Sequence, residues 1–239
     1  MRVAVVGVEK SIVEKEIVRH GFVLDKLKPE IVVSFGGDGS ALVAEQLYPG
    51  VPRLTIKHSS NCEKCVVGEA HNVESVIEKL KNNDYKIAEE FKVEGIVNGD
   101  SAKRLIGLNE INVAHAVPTK AIRSDVFING KLAAGDLIGD GVLVATPYGS
   151  TAYFRTITGR KFSAGIGIAL NNTNKKTKYH FADENAEIKI KLNRGPAVMC
   201  ADNTTTMIPL KDGDVVIVRK AKEKARLIEL VGEERKIEI

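Results

Sequence analysis

The 239-residue chain has no tryptophan, one glutamine (Gln46) and three cysteines, and aromatic residues make up only 5% of it. Three cysteines cannot build a disulfide framework. The chain does not need one, because at this length folding buries roughly 70% of the unfolded surface. No apolar run approaches the ~18 residues of a membrane-spanning helix. The opening MRVAVVGVEK has too short an apolar run, met at once by charge, to read as a secretory signal, so the expected location is cytoplasmic. A basic stripe is also missing. The net charge is +4 and the pI about 8.8, with lysine and arginine interspersed among glutamate. That pattern excludes nucleic acid as the expected partner and leaves small anions. Scarce glutamine beside abundant lysine and glutamate suggests a heat-adapted source.

What remains is 44% apolar and 28% charged, the balance of a globular protein long enough for one large domain or two small ones. RVAVVGV (2–8) and IVVSF (31–35) are β-branched runs that read as buried strands, and PRLTIK (52–57) as a third. Ser11 opens a capping box with Glu14, and the helix that follows ends at Gly21. A second helix is expected to start at about Gly39 and run to Pro49. Asn72 caps a third, VESVIEKLK. Strand–helix alternation up to residue 84 predicts a parallel, doubly wound sheet. From 85 to 219 the grammar turns to β. Phe91, Val93 and Val97 lie on one face with Lys92 and Glu94 on the other. NGD (98–100) and FINGKL (127–132) carry Asn-Gly hairpin signals. GVLVATP, AEIKIKL, AVMCA and DVVIVRK add strands, and one helix, STAYFRTI (150–157), is embedded among them. The fold class is therefore α/β followed by a mostly antiparallel β-rich domain. The tail (220–239) holds one more apolar run, ARLIELV, which can return to the first domain.

Residues 34–40 read SFGGDGS, between a strand end and a helix start, which is where open α/β sheets bind ligands. Gly36, Gly37 and Gly39 allow close backbone approach. Helix-start amides and Ser40 favour an anion. The lysine of the P-loop is missing, and a central carboxylate, Asp38, stands in its stead. Beside phosphates a carboxylate makes sense if it binds Mg²⁺ or takes a proton from a hydroxyl nucleophile. The alternative is a plain turn with Asp38 as helix cap. A second segment, GDGVLVATPYGSTAY (139–153), follows a strand with Pro147, a glycine turn and hydroxyls. Ser150 would cap the embedded helix and Thr151 sit in its first turn. Its amides, hydroxyls and Tyr153 suit a sugar-phosphate and a base. The alternative is an ordinary strand–turn–helix cap.

These two segments, with LNEI at 108–111 between them, resemble the NAD kinase family, which shows a GGDG loop, an Asn-Glu pair and a DG…TP-x-GSTAY segment in this order. CADN…LKDGDVVIV (200–218) is similar to that family's last β region. The resemblance implies a Rossmann-like first domain, a β-rich second one, and NAD bound in the crevice between them. It implies phosphoryl transfer from ATP, or from inorganic polyphosphate, with Mg²⁺ or another divalent cation, to the 2′-hydroxyl of the adenosine ribose. Homodimers or homotetramers are also implied. By the same resemblance Asp38 is the general base in a phosphate loop of Gly36, Gly37, Gly39 and Ser40. Asn109 and Glu110 hold the adenosine. Asp140, Ser150, Thr151, Ala152 and Tyr153 fix the dinucleotide, and Tyr148 and Thr156 line the pocket. The chain departs from the family at KHSSNCEKC (57–65), where a glycine-rich apolar stretch is usual. It departs also at Asp202-Asn203-Thr204, in place of Asp-Gly-Gln, and at 159–180, which lacks a Pro-His pattern. Lys57, Arg155 and Arg160 are candidate phosphate clamps.

His58, Cys62, Cys65 and His71 could complete a zinc site, although H-x₃-C-x₂-C-x₅-H matches no standard finger. A redox-active pair and plain loop packing are the alternatives. Cys200 is expected in the core, and His115 and His180 as surface or hydrogen-bonded residues. Two other functions fit the motifs. One is a kinase with the same loop and a sugar, polyol or nucleoside acceptor. The other is a non-enzymatic NAD-binding module, against which the retained Asp38 argues, since binding alone gains nothing from a carboxylate near phosphates.

Overall fold

A computed structural model describes residues 1–57 and 72–232, and their contacts divide into two units. The first holds Met1–Glu90 and the stretch from Lys224 onward; the second is Phe91–Glu223.

In the first unit, strands β1 (Arg2–Gly7), β2 (Val23–Leu24), β3 (Ile31–Gly36) and β4 (Arg53–Lys57) form a parallel sheet ordered β2-β1-β3-β4. Alternation sorts their side chains to two faces. Val3, Val5, Ile31, Val33 and Phe35 share one cluster with Val13 and Ile17 of α1 (Ser11–Arg19) and Val76, Ile77 and Leu80 of α3 (Val73–Lys81). Ala4 and Val32 pack on the other face against Ala44 of α2 (Asp38–Leu47), small side chains that let the helix lie close. Asn72 accepts the Ser75 amide and caps α3 as its sequence predicts. Ser11 does not cap α1. Lys10 occupies the cap with no side-chain bond, because the helix begins at Ser11 itself. The α1 C-terminus closes through Phe22 N–H to Ile17 O and Gly21 N–H to Val18 O, with Gly21 at φ 83°. β4 begins at Arg53 rather than Pro52.

The second unit is a sandwich of antiparallel sheets. Its strands are β5 (Tyr85–Val97, in this unit from Phe91), β6 (Asp100–Gly107), β7 (Glu110–His115), β8 (Ile122–Ile128), β9 (Lys131–Gly139), β10 (Gly141–Ala145), β11 (Ile166–Asn171), β12 (Tyr179–Ala182), β13 (Ile188–Arg194), β14 (Ala197–Ala201), β15 (Ile208–Leu210) and β16 (Val215–Leu230, in this unit to Glu223). One sheet runs β12-β11-β10-β7-β14-β15. Facing it, β16, β13, β8 and β9 pair in that order, and Ile111, Val113, Val142, Val144 and Ile168 meet Val126, Leu137, Ile188, Ile190 and Val218 in one core. Both Asn-Gly turns form with left-handed residues (Asn98 φ 52°, Gly99 φ 72°; Asn129 φ 49°, Gly130 φ 77°), the geometry that matches strand twist. Lys92 and Glu94 take the face of β5 opposite Val93 and are buried there. Glu94 accepts Arg104 Nε at 2.6 Å and Arg219 Nε at 2.7 Å.

The tail does not form a separate element. ARLIELV continues β16, Leu227 pairs with Arg53, and Ile228 and Leu230 enter the first unit's core. No helix among the described residues is long and apolar enough to cross a membrane.

Candidate active site

The glycine–aspartate loop joins β3 to α2 at the carboxyl end of the parallel sheet. Gly36 ends β3 at φ 151°, and a Cβ there would strike Ser40 Oγ, so the loop turns flush against its own helix. Gly37 is the helix cap and accepts the Ser40 amide at 3.0 Å. Asp38 is thus the first residue of α2, one position earlier than expected, and is neither the cap nor fully buried. The positive end of the helix dipole stabilises a carboxylate at that place. The same end leaves Asp38, Gly39 and Ser40 at the rim where an anionic ligand would approach. A carboxylate so placed is a hard oxygen donor and a proton acceptor.

In the second unit, Asn109 and Glu110 are buried at the turn into β7. They are held by Asp202, which sequence reasoning noted only as a departure. Asp202 Oδ1 accepts the amides of Asn109 (2.7 Å) and Glu110 (3.1 Å), and Oδ2 that of Leu108 (2.9 Å). Thr146, also missed, is fully buried. Its hydroxyl donates to Leu108 O (2.6 Å) and accepts the Gly149 amide (3.0 Å). A Cβ on Gly149 would run into the Asn109 backbone, so the glycine of the GST turn is what lets that turn seat against the Asn-Glu pair. The signal available for Asp202 was its hydrogen-bonding type beside a β run. Its partners lie 92 to 94 residues away, which no local pattern reveals.

The embedded helix differs from its expectation. Tyr148–Thr151 form a 3-10 turn, Ala152 breaks it, and α4 spans only Tyr153–Thr158. Ser150 is buried inside the turn and caps nothing, and Thr151 precedes α4 rather than opening it. The turn's amides are satisfied internally: Ser150 donates to Pro147 O, Ala152 to Gly149 O and Gly149 to Thr146. Phe154 pins α4 on Leu143, Ala145 and Ala169, leaving Tyr153, Arg155 and Thr156 outward. Arg160 is exposed just past α4.

Within this unit the predicted residues fall into two groups. Asn109, Glu110, Tyr148 and Ser150 gather where β10 ends at Ala145, which pairs with Glu110. Asp140 lies at the other end of β10, roughly 15 Å away at a strand's rise per residue. It accepts Asn172 Nδ2 at 3.0 Å, and Tyr153 reaches the same corner through Asn171. Cys200 is half-buried rather than core. It points away from the sandwich core beside Asn112, and burial together with the Glu110 charge pushes its thiol pKa up. His58, Cys62, Cys65, His71 and the Lys57 side chain lie outside the described residues.

Residues 108–230 match the model of the ATP-NAD kinase C-terminal domain. The chain is 26% identical over 220 residues to the NAD kinase of Clostridium perfringens, covering 85% of this chain and 76% of that one. To the NAD kinase of Methanosarcina acetivorans it is 28% identical over 209 residues, covering 84% and 74%. A bifunctional NADP phosphatase/NAD kinase of Methanococcus maripaludis is 27% identical over 211 residues, covering 82% of this chain and 36% of that one. In fold the chain is similar to an Archaeoglobus fulgidus NAD kinase solved with ATP (TM-score 0.82, 19% identity, 99% of this chain and 97% of that). It is also similar to yeast NADH kinase solved with NADH (TM-score 0.80, 16% identity, 99% and 85%).

Proposed function

The chain belongs to the NAD kinase family, and we propose on that premise that it phosphorylates NAD at the 2′-hydroxyl of the adenosine ribose, from ATP or inorganic polyphosphate, to give NADP. The observation that carries the proposal is Asp38. It stands in the first turn of α2 at the carboxyl end of β3, where the amides of a helix start favour an anion.

A ribose hydroxyl is a weak nucleophile at neutral pH. Asp38 accepts its proton as the oxygen attacks the terminal phosphorus, and the bond from that phosphorus to the bridging oxygen breaks to release the shortened donor. Such a base contributes about 10²–10⁴-fold. The remaining barrier falls to positioning and charge neutralisation. A divalent cation such as Mg²⁺ carried in with the donor would supply charge neutralisation for the transferring group, and the carboxylate chemistry of Asp38 is compatible with one nearby. Asn109 and Glu110 hold the adenosine portion, on a turn fixed by Asp202 and Thr146. Tyr148, Ser150, Thr151, Ala152 and Thr156 supply the neighbouring wall, with Asp140 and Tyr153 as further contacts to the dinucleotide.

The test incubates the purified chain with Mg²⁺, ATP and NAD and reads NADP with a strictly NADP-dependent dehydrogenase. Asp38→Asn is expected to lower kcat by at least 10²-fold while NAD affinity stays near wild type. Equal loss of binding and turnover would make Asp38 structural. No NADP from NAD and no NADPH from NADH, with either ATP or polyphosphate as donor, would overturn the acceptor.

A further inference from the structure

Asp140 sits at the corner between β9 and β10 with a glycine on either side, and both glycines are there for space. A Cβ on Gly139 would come within 2.6 Å of the Asn172 carbonyl oxygen and 2.8 Å of Thr173 Cα. One on Gly141 would strike the Val113 carbonyl. Neighbouring strand ends therefore close on Asp140 from two sides. The end of β11 carries two asparagines into that gap. Asp140 N–H donates to Asn171 O (3.1 Å), and Asn172 Nδ2 donates to Asp140 Oδ2 (3.0 Å). Asn171 Nδ2 donates to the Tyr153 hydroxyl (2.9 Å). Asn172 is left-handed (φ 46°), a conformation asparagine tolerates better than most residues. On the far side, His115 N–H donates to Asp140 O (2.9 Å), and its ring stands 3.7 Å from Asp140 Oδ1.

Asp140 is partly exposed and Tyr153 exposed, so each has rotamers to lose when a ligand orders it. The corner removes that freedom in advance. Asn172 ties down Oδ2, and Oδ1, with the His115 ring 3.7 Å away, is left as the acceptor. Asn171 anchors the phenol and so sets the ring plane. We propose that Asn171 and Asn172 are positioning residues that pre-set Asp140 and Tyr153 for NAD, so that one two-residue corner tunes affinity for the dinucleotide without touching the phosphoryl chemistry. The inference rests on the reading that Asp140 and Tyr153 meet NAD.

The test uses the full chain and measures the Kd for NAD by calorimetry alongside KM and kcat. Asn172→Gly is compatible with the left-handed backbone and deletes the side chain that carries the amide. Asn171→Ala deletes the tether to Tyr153. Each should raise Kd and KM about three- to tenfold, the cost of ordering one side chain on binding, with kcat within about twofold. Asn171→Asp should recover most of that loss, because the Tyr153 hydroxyl then donates to the carboxylate. Asn171→Ala combined with Tyr153→Phe should be no worse than either alone. Asn172→Asp, which opposes two carboxylates, should be the weakest binder. Unchanged NAD affinity in Asn172→Gly and Asn171→Ala, when Asp140→Ala and Tyr153→Phe do weaken binding, would overturn the positioning role. Unchanged affinity in Asp140→Ala and Tyr153→Phe would instead overturn the placing of these residues at NAD, and the inference with it.

Discussion

The two units shape the backbone around their candidate site residues differently. In the first, the backbone that carries Asp38 is shaped within its own neighbourhood. Three glycines, a strand end and a helix start within residues 36–40 define it. In the second, Asn109, Glu110, Asp140 and Tyr153 are set by side chains from distant parts of the chain, namely Asp202, Thr146, Asn171 and Asn172. A local loop survives change elsewhere so long as its sheet stands. A rim assembled by long-range hydrogen bonds is only as firm as each bond. Substitutions that strike the frame of the first unit should therefore act on stability, and those that strike the bonds of the second should act on stability and ligand affinity together.

The largest effect expected falls on the first unit's frame. Arg53 of β4 is 1% exposed and donates to Glu45 Oε2 of α2 at 2.9 Å. Glu45 also accepts the Gly50 amide. Glu45→Ala leaves a buried guanidinium without its counter-charge and should cost about 3–5 kcal/mol. Chemical denaturation measures it, and a loss under 1 kcal/mol would show that water or a neighbour replaces the carboxylate.

Next comes Asp202→Ala, which takes the acceptor from three amides. It should destabilise by about 3 kcal/mol and, unlike Glu45→Ala, should raise KM for NAD in the protein that stays folded. A pure stability loss with unchanged KM would erase the distinction between the units.

Glu94 sharpens it from within the second unit. Burial opposes its ionisation, but hydrogen bonds and charge from Arg219 and Arg104 outweigh burial and hold the carboxyl below its usual 4.5. A depressed carboxylate stabilises the fold above the unfolded value and loses that contribution as pH falls through the folded one. Melting temperature should therefore drop more steeply below about pH 4.5 in the wild type than in Glu94→Gln. At pH 7 the variant should be weaker by about 2 kcal/mol. Parallel melting curves against pH would refute this.

The smallest effect belongs to a local cap. Asn72→Ala removes one bond at the α3 start and should cost about 1 kcal/mol, with no change in KM.

Legibility in the sequence followed the same division. The strand–helix alternation, the Asn-Gly hairpins, the Asn72 cap and the GGDG loop could be read because each depends on residues within a few positions. The errors were local competitions decided elsewhere. Ser150 has the chemistry of a cap, yet it is buried in a 3-10 turn because Phe154 must reach Leu143 and Ala169, which sets where α4 starts. Cys200 follows the strand period correctly but lands on the face away from the core, since Met199 and Ala201 take the core side.

The sequence by itself determined an α/β unit followed by a mostly antiparallel β-rich one, and a glycine–aspartate loop between β3 and α2. Periodicity and glycine placement act over one turn or one strand, and no partner is needed to express them. Only the tertiary structure decided which residues hold the Asn109–Glu110 turn and the Asp140 corner, and that the tail runs back beside Arg53. A side-chain hydrogen bond is specified by a distance of about 3 Å in space. The chain can meet that distance from 32 residues away, as at Asp140, or from 93, as at Asn109.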